Sequence, residues 1–164
     1  MLNLLKPHAL VVTLATALAA APAWSALQIE REVTITNDAG GSLVMIGSAQ
    51  RDELGAEGTT TATFTDFAAG TRVINGEVVR SRIATGEQIE TSYDGALEIV
   101  TAADGERPEH VDTLVFESLT VTRSGTGPEL SGSVIFNGRR MDAGELPRPA
   151  IRVLARALRF FAFA

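Results

Sequence analysis

Leu27 to Thr36 read LQIEREVTIT, and the period of that stretch decides the fold. Apolar Leu27, Ile29, Val33 and Ile35 take odd positions, with Gln28, Glu30, Glu32 and Thr34 between them. This is the alternation of a strand with one face on a core and the other in water. Arg31 alone breaks it, setting a cation among the apolar residues. NDAGG (37–41) then supplies turn residues, and SLVMIGSA (42–49) reads as the returning strand of a hairpin.

The same texture continues outward: TTTATFTDF (59–67), TRVINGEVVRSRI (71–83), EQIETSYDGALEIVTA (87–102), HVDTLVFESLTVTR (110–123) and ELSGSVIFNGRR (129–140). β-branched and aromatic residues suit a pleated surface, and glycine-bearing turns recur at short spacing. The expectation is an all-β domain over 27–147, mainly an antiparallel meander, curved or folded over like a sandwich. Asn75-Gly76, Asp94-Gly95 and Asn137-Gly138 each read either as a tight turn or as a bulge. Within IETSYDGALEIV the alternation on both sides of Asp94-Gly95 favours a turn. A weak repeat relates Phe64–Val79 to Phe116–Ile135: a Phe, an apolar residue three further on, a glycine-bearing loop, then Gly-x-Val-apolar. Two unequal copies are too few for a solenoid and fit similar strand pairs in one sheet.

Residues 1–26 read as a secretory signal. The amino terminus and Lys6 precede an uncharged, alanine-rich run from Ala9 to Ala23, shorter than the ~20 residues of a membrane span. Small residues at Ala21, Ala23 and Ser25 place cleavage between 23 and 26. The product is expected to be exported, to periplasm or exterior. With no cysteine in the chain there is neither a disulfide framework nor a lipid-anchor cysteine.

Charge is unevenly spread. Residues 27–147 hold nine arginines against 20 acids, whereas 148–164 hold four arginines and no acid. An acidic body repels phosphates, so nucleic acid is not an expected partner. Thiolate, Schiff-base and P-loop lysine chemistries lack their residues after cleavage, because Lys6 is the only lysine. His110 would be the one remaining histidine. With Asp104, Glu106, Glu109 and Asp112 it forms a candidate cation or acid–base loop, against the plainer reading of a solvated connection with Pro108 as turn chemistry. No metal or cofactor is expected.

The C-terminus, PRPAIRVLARALRFFAFA, predicts an amphipathic α-helix over 148–164. At helical pitch Arg148, Arg152, Arg156 and Arg159 share an arc of about 80°, and Leu154, Leu158, Phe160 and Phe161 lie on the wide apolar remainder. Arginines four apart without acids repel, so the segment needs a cover. Its own sheet is the ordinary cover, and a membrane surface or a protein partner's groove are the others. The functional expectation is a non-catalytic binding or structural protein of the cell envelope. The alternatives are a carboxylate-dependent hydrolase and a peripheral membrane protein using the C-terminal segment.

Overall fold

The structure, a computed structural model, describes residues 12–18, 27–103, 108–125 and 127–146, with Ile151, Leu154 and Leu158. The strands are β1 (Val12–Leu18), β2 (Leu27–Thr36), β3 (Ser42–Arg51), β4 (Ala56–Ala69), β5 (Arg72–Thr85), β6 (Gln88–Thr101), β7 (His110–Ser124), β8 (Gly127–Phe136) and β9 (Arg139–Asp142). They form one antiparallel sheet whose spatial order is the order of the chain. The meander expected from the sequence is therefore present. The hairpin at 37–41 closes as its residues suggest, with Asn37 Oδ1 accepting from the N–H groups of Ala39 and Gly41 at 3.1 and 3.0 Å. β1 falls inside the stretch expected to be a signal and pairs with β2 from Val12↔Ile35 to Leu18↔Ile29.

The core lies on one face and in one half of this sheet. Val33, Leu43, Met45, Phe64, Val78 and Leu97 are buried there, joined by Leu114, Phe116, Leu119 and Val134 from the later strands. Regular alternation cannot bury both Phe64 and Phe67, which are three apart, nor both Phe116 and Leu119. Bulges resolve this. Thr65 and Asp66 together oppose Asn75, and Glu117 and Ser118 together oppose Asp94. Asp66 and Ser118 take φ of 46° and 49°, and each extra residue returns the next apolar side chain to the core face. Phe64 and Phe67 then meet edge to face at 6.0 Å.

The polar members of Asn75-Gly76 and Asp94-Gly95 secure these bulges. Asn75 Oδ1 accepts the Asp66 N–H at 2.7 Å, and Asp94 Oδ1 accepts the Ser118 N–H at 2.7 Å. On the other flank of β7 stands Gly132, at φ 85°, where a Cβ would come 2.2 Å from the Ser118 carbonyl oxygen. The sequence repeat is thus the imprint of two bulges, each with a glycine on the strand that follows. Asp94-Gly95, expected as a turn, lies inside the continuous strand β6. Asn137-Gly138 is a turn, its two positive φ angles of 49° and 78° being those of a tight hairpin.

The expected C-terminal amphipathic α-helix is overturned. The described residues contain no helix of seven or more residues, and their one bounded helical element is a 3-10 turn at Ala143–Glu145. The physical reason is tertiary: an amphipathic pattern alone does not stabilise a short helix, and single leucines gain by entering the core. Leu146 and Leu154 are 8% and 6% exposed within the core, and Leu158 packs against it, whereas Ile151 stays exposed. The sheet itself covers these leucines.

Candidate functional site

Beyond the core the sheet continues as a layer with both faces accessible, and here the register sorts charge. On the core-bearing face a first cross-strand row runs Arg31, Gly47, Thr60, Arg80, Tyr93 from β2 to β6. A second runs Ile29, Ala49, Gly58, Arg82, Thr91, Val121, and a third Leu27, Arg51, Ala56, Ala84, Ile89, Arg123. These rows place Arg31, Arg51, Arg80, Arg82 and Arg123 together with no carboxylate. The opposite face of the same strands carries Glu30, Glu32, Glu57, Glu90, Asp94, Glu117 and Glu129 and, among the described residues of β2 to β8, no arginine. Charges that alternate along the chain therefore separate onto two surfaces, because side chains one residue apart point to opposite sides of a strand.

Between Arg31 on one side and Arg80 and Arg82 on the other, the face sinks into a trough of about 350 Å³. Its floor is Gly47, Ala49, Ala56, Gly58 and Ala84, with no side chain larger than a methyl group. Thr60 contributes a hydroxyl at the buried end, and Ile29 an apolar flank. The side chains of Gln50 and Glu57, paired across β3 and β4, point to the opposite face, where Gln50 Nε2 donates to the Glu57 carboxylate.

Arg80 is seated rather than loose: its Nη2 donates to Thr60 Oγ1 at 3.4 Å, and it is partly buried beside Tyr93. Burial lowers its pKa below the ordinary arginine value; Tyr93 opposes that shift and Arg82 adds to it. Burial raises the Tyr93 phenol above its ordinary value, against the pull of Arg80, Arg123 and Arg82. Three arginines thus converge on one neutral phenol, whereas Arg31, Arg51, Arg82 and Arg123 form no ion pair among the described residues. Chemically the surface is a set of guanidinium groups, Arg80 held and the others exposed, around a small-residue floor, suited to anionic oxygens.

The residues singled out in the sequence lie elsewhere. Asp104 and Glu106 fall outside the described residues, as do Arg148, Arg152, Arg156, Arg159, Phe160 and Phe161. His110 begins β7, exposed, with Nε2 at 2.8 Å from Asp112 Oδ1, and that oxygen also accepts from Asn137 Nδ2 at 2.9 Å. Glu109 is exposed in the preceding connection. Among the described residues no group of three or more His, Cys, Asp or Glu side chains is placed to hold a metal. A second cleft, near 860 Å³, contains Asp94, Glu117, Ser118, Ser133, Arg140 and Asp142 on the opposite face. Its carboxylates hold structure: Asp94 caps the bulge, and Glu117 accepts from Ser133 Oγ at 2.7 Å and pairs with Arg140 at 3.1 Å.

The one trace of the arginine face in the sequence is the break in alternation at Arg31, with Arg80 and Arg82 two apart in VVRSRI. Their shared face becomes visible only once the register between strands is known. No family model, curated protein or solved structure matches this chain.

Proposed function

We propose that the protein is an exported, non-catalytic binding module of the cell envelope that holds an anionic ligand on its arginine face. The observation that carries this reading is the separation of charge across a single layer of sheet, five arginines on one side of β2 to β8 and carboxylates without an arginine on the other. A chain of net charge −6 has no overall attraction for polyanions, so any such binding must come from a local concentration of cations. The small-residue floor supports the same reading, because it lets a ligand approach the sheet while the arginines rise around it. The ordered charge, apolar run and small residues of 1–26 support export. On that reading β1 belongs to the precursor, and Leu27–Thr36 becomes the first strand of the mature protein.

Of the alternatives, the hydrolase reading loses support where Asp94 and Glu117 spend their oxygens on backbone and ion-pair contacts. The membrane reading loses support where Leu154 and Leu158 enter the protein's own core. The test is binding of long-chain polyphosphate to the full chain at low salt, alongside a double variant, Arg31→Gln with Arg82→Gln. Saturable binding that weakens with salt and is lost in the variant supports the reading, and binding indifferent to those substitutions sinks it. N-terminal sequencing of protein from its native envelope tests export, where a retained Met1 counts against it.

A further inference from the structure

We propose that the natural ligand of this face is an extended acidic polysaccharide, laid across the strands with its carboxylates on the arginines; this rests on the face being an anion-binding surface. The arginines are too dispersed to serve one small anion. Arg31 on β2 and Arg123 on β7 are five strand spacings apart, about 24 Å at ~4.8 Å per spacing, and Arg80 and Arg82 lie between them. The arginine-bearing strands β2, β3, β5 and β7 stand at whole multiples of a spacing close to the length of one sugar ring. A glycan crossing the strands therefore meets guanidinium groups in step with its own repeat.

The floor points the same way. Ala49 and Gly58 lie side by side in the second row, between Ile29 and Arg82, so a ring can rest there on the sheet without meeting a side chain larger than a methyl group. Arg31 and Arg80 border that row on one side, and Arg51 and Arg123 on the other. They can pair with carboxylates projecting from either edge of the chain, each fork able to take two oxygens. A single-stranded nucleic acid would call for several aromatic platforms, and this face offers Tyr93 alone. A lipid surface would call for protruding apolar side chains, and here the centre is recessed. The acidic face of a second copy matches in charge, but a flat sheet does not fill a recess.

The experiment is isothermal titration of the full chain with a galacturonate hexamer, galacturonate monomer, neutral dextran, polyglutamate and polyphosphate. The expected result is saturable binding of the hexamer at low salt, with no detectable binding of monomer or dextran. In Arg31→Gln with Arg82→Gln, hexamer affinity falls at least about tenfold while the far-UV melting curve is unchanged, both side chains being exposed. Arg152→Gln with Arg156→Gln leaves hexamer affinity intact. Binding of polyphosphate but not of the hexamer overturns the glycan assignment and leaves the anion-binding face standing. Binding of neither overturns both. Polyglutamate binding as tightly as the hexamer, binding of dextran, or loss of binding only in the Arg152/Arg156 variant each overturns the glycan assignment. So does hexamer binding that vanishes as the protein self-associates through its two faces.

Discussion

Deleting Ser118 removes the extra residue of the β7 bulge and is predicted to leave that strand's contribution to the core in place. In the native register Ser118 is the extra residue that lets Phe116 and Leu119, three apart, share a face, at 2% and 0% exposure. Without it the two stand two apart, the spacing that a regular strand buries on one face, and Glu117 alone opposes Asp94. The deletion gives up the bonds from the Ser118 N–H and Oγ to Asp94 at 2.7 and 3.2 Å, together worth about 1–3 kcal/mol, and relieves a left-handed φ costing about 1–2 kcal/mol. The net change should therefore stay within about 2 kcal/mol, and the deletion variant should fold. The companion variant Ser118→Gly keeps the residue count and the N–H to Asp94. It relieves a left-handed φ costing about 1–2 kcal/mol in a non-glycine residue, and gives up the 3.2 Å bond from Ser118 Oγ, worth about 0.5–1.5 kcal/mol. Its stability should therefore equal or slightly exceed the parent's. Urea unfolding followed by far-UV circular dichroism reads both. A deletion variant destabilised by more than about 3 kcal/mol, or with a changed urea slope, would refute the account of Ser118 as the one residue extra to the core-facing period.

Tyr93 is the only tyrosine, so alkaline titration of phenolate absorbance reports it without ambiguity. Its raised pKa means that above the unfolded value of about 10 the unfolded chain loses the proton first. Stability should then fall as pH rises from there, a decline that Tyr93→Phe removes and that an ordinary titration midpoint would disprove. Leu154→Ala should lower stability by about 2–5 kcal/mol in thermal or urea unfolding, as for other buried leucines. An unchanged midpoint would detach that residue from the core. Ala49→Leu, raising a branched side chain on the trough floor, should abolish glycan or polyphosphate binding and leave the melting temperature nearly unaltered. His110→Ala should leave both fold and binding unchanged, its one described contact being an exposed bond to Asp112; a hundredfold loss of a hydrolytic activity would reverse that assignment.

The strands were legible because burial on one face writes a two-residue period directly into the chain, as in Leu27–Thr36. The bulges were legible only as one of two readings of Asn75-Gly76 and Asp94-Gly95 and as a repeat that fitted similar strand pairs: Phe-Thr-Asp-Phe and Phe-Glu-Ser-Leu look like imperfect alternation until a partner strand shows which residue is extra. Asp94-Gly95 misled for the same reason, since a bulge cap and a hairpin turn draw on the same residues. The C-terminal helix was misread because helix propensity is local, whereas the fates of Leu154 and Leu158 were decided by the core they reach. The arginine face escaped notice because Arg31, Arg51, Arg82 and Arg123 come from four strands. Only Arg31 advertised itself, as a cation where the pattern asked for an aliphatic side chain.

The sheet's order, identical to the order of the chain, bears on how the molecule comes into being. A polypeptide delivered N-terminus first, from a ribosome or through a translocation pore, can add each strand to the one just laid down. No strand must wait for a distant mate, so the entropy of closing long loops is avoided. The closing contacts come last: Leu146, Leu154 and Leu158 reach the core only after all the strands have emerged. Assembly is therefore progressive along the strands but sealed at the end, and a chain interrupted before residue 146 would present a finished sheet with its apolar face unfinished.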